Sequence, residues 1–233
     1  MLVGILELLP NVSPGKFFQY LFSSIVLKRN EKDPNASFSI IATLSFVLLV
    51  NGLKEAYEDI QRHKADKITN ERKVLTLESS SGEGGNGGGG PQMKEKQWKE
   101  LKVGDILKLC NDQLVPADCL VLSTSAKGSV CYIETSNLDG ESHHKIRKGL
   151  SLTEQLRDED SLSRWRGVVK CGFPTVPIYE FAGQVSKEEN FKEAKPFNES
   201  NILLRGSTLT NTEWVFALVL YTGDDTKLVL NSL

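Results

Sequence analysis

The sequence predicts a mainly β domain, a sandwich or distorted jelly roll, joined to an α-helical segment that lies in a membrane. Residues 34–53 contain no charged side chain, whereas the chain beyond residue 74 breaks into short runs of β-branched, leucine and aromatic residues separated by turn residues. Many short strands of this kind are typical of a sandwich or jelly roll. The 28 basic and 30 acidic residues nearly balance, so the composition does not point to a nucleic-acid partner.

Residues 1–58 form the predicted membrane segment. The apolar stretch 36–53 has nearly the roughly 20 residues that a helix needs to cross a bilayer. A buried core helix is the alternative, but it needs apolar surroundings on all sides that 233 residues hardly supply. Residues 1–9 are apolar but too few to span a bilayer, so we interpret them as the end of a first helix. An exoplasmic loop would then join this helix to 36–53, and the two helices would form a transmembrane helical hairpin.

The charges that follow residue 53 set the expected orientation. Apolar residues recur at helical spacing among them, which predicts a stalk helix over 59–73. An excess of basic side chains on this side places it in the cytosol, and the protein is therefore expected to be integral to a membrane. The basic residues are Lys54, Arg62, Lys64, Lys67, Arg72 and Lys73.

Residues 74–222 form the predicted β domain. Strands are predicted at 74–77, 106–110, 119–123, 130–135, 202–209 and 214–221. A glycine- and serine-rich stretch at 79–91 predicts a flexible insertion, and the polar segment 150–198 predicts a second insertion that packs loosely. The four cysteines have no metal-type spacing, and we expect reduced thiols without a metal site. They are Cys110, Cys119, Cys131 and Cys171.

The segment 133–142 carries the chemistry that the sequence predicts. A β-type run leads into a turn of small residues in which Gly140 permits a conformation and a close approach that a side chain would obstruct. Glu141 then lies at the tip, where a carboxylate could orient or deprotonate a water molecule. Most Asp-Gly turns are only turns, so the flanking motifs matter. The motifs are Gly104-Asp105-Ile106, Val115-Pro116-Ala117-Asp118 and the run from Glu134 to Glu141, which includes the turn itself.

With these motifs in this order, the chain resembles the actuator domain of a P-type ATPase, most closely the type IV subfamily of phospholipid flippases. The resemblance implies that Glu141 positions the water that hydrolyses an aspartyl phosphate, a covalent intermediate. It implies that Asp139 shapes the turn and contacts the partner domain, that Gly140 permits close approach, and that Ser142 hydrogen-bonds within the turn. Residues 223–233 would lead into a third membrane helix.

The resemblance also suggests residues that contact the transported lipid. Glu7, Leu8 and Pro10 fall at the end of the first flippase helix, where the family often carries two glutamines at the positions of Glu7 and Leu8. An acid there is a functional candidate if it faces a wet groove. It is unremarkable if it sits at the exoplasmic interface, and the sequence leaves both readings open.

The chain contains no Asp-Lys-Thr-Gly-Thr phosphorylation motif and no recognisable nucleotide-binding domain. No cofactor is therefore expected in this chain, while ATP and Mg²⁺ are implied for a full-length parent that moves membrane phospholipid, with or without an accessory subunit. One alternative is a non-enzymatic membrane protein that keeps the actuator domain for regulation or docking, although such a module has no chemical need for the Glu141 carboxylate. Fusion to another catalytic unit is a third reading.

Overall fold

The computed structural model describes residues 34–78, 91–187 and 193–231. It divides into two units, residues 1–65 and 66–233. Helix α1, Pro34–Asn70, begins in the first unit and ends in the second. Twelve strands, three short α-helices and three 3-10 turns follow in the described part of the second unit.

Helix α1 runs without a break through the predicted span 36–53 and through the predicted stalk 59–73 as far as Asn70. Between residues 54 and 71, exposed ion pairs four residues apart support it, for example Lys54 Nζ with Glu58 Oε1 at 3.5 Å. Among the described residues, no helix is long and apolar enough to cross a membrane. The first arm of the predicted hairpin lies outside the described residues, so the transmembrane hairpin is not seen.

The strands of the second unit follow the helix directly. They are β1 Lys73–Glu78, β2 Gln92–Gln97, β3 Ile106–Cys110, β4 Asp118–Thr124, β5 Val130–Glu134, β6 His144–Lys148, β7 Val168–Cys171, β8 Ala182–Ser186, β9 Lys195–Asn198, β10 Ile202–Leu203, β11 Thr208–Thr210 and β12 Trp214–Tyr221. The short helices are α2 Ser136–Asp139, α3 Glu159–Arg164 and α4 Lys227–Leu230. The mainly β fold class is confirmed.

Three antiparallel sheets make up this unit over its described ranges, 66–78, 91–187 and 193–231. The largest has the strand order β10-β4-β12-β3-β1-β2, and two three-stranded sheets have the orders β11-β5-β6 and β7-β8-β9. On one face of the large sheet, Leu107 and Val219 share a buried apolar cluster with Ile133 of β5. On its other face, Leu120 and Phe216 share a second cluster with side chains from the 150–198 segment. The large sheet is thus the central layer.

The 150–198 segment is built into this second core. It forms α3 and the β7-β8-β9 sheet, and it buries Leu162, Val185 and Phe197, each at most 4% exposed. The prediction that the 150–198 segment packs loosely, which was based on its polar composition, is therefore wrong. A few apolar side chains that face the same way are enough to attach an otherwise polar segment to the core.

The predicted strand 202–209 is divided in two. β10 pairs with β4 in the large sheet, whereas β11 pairs with β5 in the sheet that carries the candidate turn. Gly206 lies between them with a φ of 85°, a left-handed conformation that ends an extended run. The chain thereby crosses from one layer to the other.

A buried carboxylate fastens the end of this unit to its central sheet. Asp118, at the start of β4, is fully buried and accepts hydrogen bonds from the backbone N–H groups of Arg205 and Lys227, both at 2.8 Å. Burial raises the pKa of Asp118, and the two N–H groups oppose that rise. The Lys227 ammonium is itself enclosed and donates to the carbonyl oxygens of Thr175 and Pro177 at 3.0 and 2.7 Å.

Candidate functional site

Strand β5 delivers the candidate turn to the protein surface. Its side chains alternate, with Cys131 and Ile133 buried, and it lies between β11 and β6 in its sheet. At Thr135 the chain leaves the strand and makes the single helical turn α2. A short turn held on a three-stranded sheet has few ways to move, which suits a site that must present one side chain in a fixed place.

Gly140 ends α2 in the left-handed conformation, with a φ of 74°. Its N–H donates to the carbonyl oxygen of Ser136 at 3.1 Å, which closes the helical turn. A Cβ atom built on Gly140 would meet nothing within 4 Å. The backbone conformation therefore favours glycine here, while the space above it is open to an approaching partner.

Asp139 is the most heavily bonded residue of the turn. Its carboxylate accepts hydrogen bonds from Thr135 Oγ1 at 3.0 Å, from the Glu141 N–H at 2.9 Å, from the Tyr179 hydroxyl and from the Lys145 ammonium. The side chain is 14% exposed. Asp139 therefore holds the backbone of the turn from within and is not presented to solvent.

Lys145, on β6, lies between the two acids of the turn. Its Nζ contacts the Asp139 carboxylate, reaches Glu141 Oε2 at 2.9 Å and donates to the Tyr179 hydroxyl at 2.7 Å. The ammonium also lies 4.9 Å from the centre of the Tyr179 ring, within the range of a cation–π contact. One cation thus partners two carboxylates.

These contacts shift the pKa values of Asp139 and Lys145 in opposite directions. Partial burial acts to raise the pKa of Asp139, but the hydrogen bonds from Lys145, Tyr179, the Glu141 N–H and Thr135 outweigh it, and the pKa lies well below its ordinary value. Burial likewise acts to lower the pKa of Lys145, and its bonds to Asp139, Tyr179 and Glu141 raise that pKa above its ordinary value. Both groups are charged at neutral pH.

The next two residues are presented outward. The Glu141 side chain is 57% exposed, and Lys145 holds its Oε2 atom. Ser142 is also exposed, and across the part of the chain that the structure describes its hydroxyl has no hydrogen-bond partner, in contrast to the expected bond within the turn. An exposed carboxylate with one oxygen fixed can orient or deprotonate a water molecule on its other oxygen.

The structure brings four of the predicted site residues together: Asp139, Gly140, Glu141 and Ser142 form one continuous turn. The predicted lipid-contacting residues Glu7, Leu8 and Pro10 lie outside the described residues. Within the described ranges, no group of three or more His, Cys, Asp or Glu side chains could hold a metal ion. The four cysteines are unpaired thiols; Cys119 and Cys131 are buried, and Cys171 is exposed.

Sequence reasoning missed two residues of this site. Lys145 carries a detectable signal, because a cation four residues after Glu141 and six after Asp139 can fold back on either acid. Tyr179 carries no such signal, since it reaches Asp139 from 40 residues away through the loop between β7 and β8. Its role depends on the packing of the 150–198 segment.

The chain matches the family model of the P-type ATPase actuator domain over residues 85–229. It is 39% identical over 214 residues to phospholipid-transporting ATPase 10 of Arabidopsis thaliana, covering 91% of this chain and 17% of that protein. It is 40% identical over 195 residues to phospholipid-transporting ATPase ID of Mus musculus, covering 84% of this chain and 15% of that protein.

Among solved structures, the chain is similar to a zinc-transporting PIB-type ATPase in the E2.Pi state. The sequence identity is 13%, the TM-score is 0.37, and the match covers 70% of this chain and 16% of that one. That likeness is too distant to bear on function. The chain spans 17% and 15% of the length of the two curated relatives given above.

Proposed function

We propose, from the premise that this chain belongs to the type IV P-type ATPases and carries their actuator domain, that Glu141 drives hydrolysis of the aspartyl-phosphate intermediate. In this step the Glu141 carboxylate accepts a proton from a water molecule as the water oxygen bonds to phosphorus. The bond between phosphorus and the aspartyl oxygen breaks, and inorganic phosphate and a free aspartate carboxylate remain. The actuator domain thus resets the pump.

The observation that carries this proposal is the position of the Glu141 carboxylate. It is exposed, it follows a left-handed glycine with open space above it, and one of its oxygens is held by Lys145 at 2.9 Å. Within the described residues its Oε1 atom has no partner, which leaves that oxygen for water. The Asp139 carboxylate, in contrast, is occupied by hydrogen bonds from Thr135, the Glu141 N–H, Lys145 and Tyr179, so it supports the turn and does not act on water.

The whole protein is proposed to move membrane phospholipid at the expense of ATP. The names of its relatives support this substrate class. ATP and Mg²⁺ are proposed as the phosphoryl donor and its counter-ion in the full protein, as membership of the P-type ATPases implies. When bound, they supply the phosphoryl group and the counter-charge for its transfer.

The membrane arrangement is part of the same proposal. Residues 36–53 are not apolar enough to qualify as a span by themselves, and they are proposed to cross the bilayer together with other membrane helices of the whole protein. The predicted stalk 59–73 is proposed to comprise the end of α1, which closes at Asn70, and the short link to β1, with the β unit in the cytosol. The uncharged run 34–53 and the basic residues after it support this orientation. Glu7, Leu8 and Pro10 are proposed to lie along the lipid path at the end of the preceding helix.

The test is Glu141→Gln in the full-length ATPase that contains this chain. The amide cannot accept the proton from water, so the radiolabelled phosphoenzyme should form normally and decay about 100-fold more slowly. Glu213→Gln is the matched control, since Glu213 is an exposed acid of the same unit outside the turn, and its decay rate should be that of the wild type. Unchanged decay in Glu141→Gln would overturn the proposed role.

A further inference from the structure

The Glu141 side chain is more exposed than any other charged group at the turn, yet it has a defined direction. Its 57% exposure alone would leave a glutamate free to sample several rotamers. The contact from Lys145 Nζ to Oε2, at 2.9 Å, selects one of them. The direction of the hydrolytic carboxylate therefore comes from a residue outside the Asp-Gly-Glu-Ser turn.

Lys145 is in turn held by groups that leave it little freedom. It is 19% exposed, and its Nζ is shared among Asp139, Glu141 and the Tyr179 hydroxyl. The Tyr179 hydroxyl has one proton, which it donates to Asp139 Oδ2 while it accepts from Lys145. The Lys145 ammonium, the Tyr179 hydroxyl and the Asp139 carboxylate are therefore each hydrogen-bonded to the other two.

The positive charge of Lys145 also offsets the negative charge of the turn. Asp139 and Glu141 are two carboxylates on one short turn, and without a cation between them they would repel each other and any phosphate that approaches. Lys145 compensates one of the two charges. The turn therefore presents a single net negative charge to a phosphorylated partner.

We propose that Lys145 is the positioning residue for Glu141, and that Tyr179 of the 150–198 segment holds Lys145 in that position. The inference rests on the proposed function of Glu141. It assigns a role in dephosphorylation to a segment that looks like a variable insertion in the sequence. Neither residue contacts the reacting atoms, and both act through the direction of the Glu141 carboxylate.

Three variants of the full-length ATPase test the inference by phosphoenzyme decay. Lys145→Met keeps the length of the side chain and removes its charge, and decay should slow on the order of tenfold because the carboxylate loses its direction. Tyr179→Phe removes a single oxygen atom from the surface, and decay should slow by about threefold. Lys145→Arg should restore part of the loss, since it returns a cation that can bridge both acids.

Lys148→Met is the matched control, because Lys148 lies on the same strand with an exposed side chain. Its decay rate should equal that of the wild type. Normal phosphoenzyme formation in each variant reports that the protein has folded. A general loss of structure would lower formation and decay together, and would not be rescued by arginine.

A double-variant cycle separates this inference from the proposed function. In a Glu141→Gln background, adding Tyr179→Phe should slow decay no further if Tyr179 acts only through Glu141. Independent, multiplicative effects would overturn the inference, as would wild-type decay in both Lys145→Met and Tyr179→Phe. Wild-type decay in Glu141→Gln itself would instead overturn the proposed function.

Discussion

The hydroxyl group of Tyr179 donates a hydrogen bond to Oδ2 of Asp139, although 40 residues of chain separate the two. Asp139 belongs to the turn on β5, and Tyr179 to the segment that packs on the far side of the central sheet. The bond joins the third layer of the unit to its candidate site. The stability of that layer and the geometry of the turn are therefore linked.

Gly140→Ala should lower the free energy of unfolding by about 1 kcal/mol, the cost of a side chain at positive φ. Gly128→Ala is a close control, since Gly128 has a φ of 75° against 74° for Gly140 and a Cβ at either would meet nothing within 4 Å. Thermal unfolding should give similar losses for both. Only Gly140→Ala should also slow phosphoenzyme decay. Equal decay rates in the two variants would show that a partner can approach the turn without a glycine at position 140.

The pH dependence of stability should depend on Asp139. Its pKa is lowered in the folded chain, so the stabilisation is complete above the unfolded pKa of about 4 and is lost as the pH falls through the folded value. Asp139→Asn should flatten the stability profile below pH about 4, whereas Asp224→Asn, at an exposed site, should keep the wild-type shape. Thermal unfolding at a series of pH values measures this, and identical profiles for Asp139→Asn and the wild type would contradict it.

Gly183→Ala should destabilise the β7-β8-β9 layer. A Cβ at Gly183 would lie 2.2 Å from Phe197 Cζ and 2.8 Å from the Lys170 carbonyl oxygen, and the backbone contact cannot be relieved by a rotamer change. We expect a loss of about 2 kcal/mol in unfolding free energy. Gly172→Ala, where nothing lies within 4 Å, should stay within about 0.5 kcal/mol of the wild type. Equal unfolding temperatures for the two variants would mean that this layer packs loosely after all.

The strands that the sequence predicted are those whose own residues carry the apolar signal. β3 and β12 occur with the predicted bounds, because alternating or continuous apolar residues place them in the central sheet. β2 was missed, since its sequence Gln-Met-Lys-Glu-Lys-Gln has almost no apolar content. It forms the edge of the sheet, where charged side chains face solvent.

Part of the candidate site was likewise predictable from the sequence, and part was not. The turn from Asp139 to Ser142 was predictable, because a short local motif fixes its conformation and places its carboxylate. The groups that direct Glu141 were not, since Tyr179 reaches the site only after the 150–198 segment has packed against the sheet. Local motifs determine which residues are present, while tertiary packing determines where they point.

Asp118 ties two distant stretches of chain to the start of β4 through the N–H groups of Arg205 and Lys227, both at 2.8 Å. α4 begins at Lys227, so any pull on the chain beyond this helix meets those two bonds before it meets the ladder of β12. The end of the unit is therefore held to β4 at two places, by the pairing of β12 and by the Asp118 carboxylate, and a load applied to that end is shared between them.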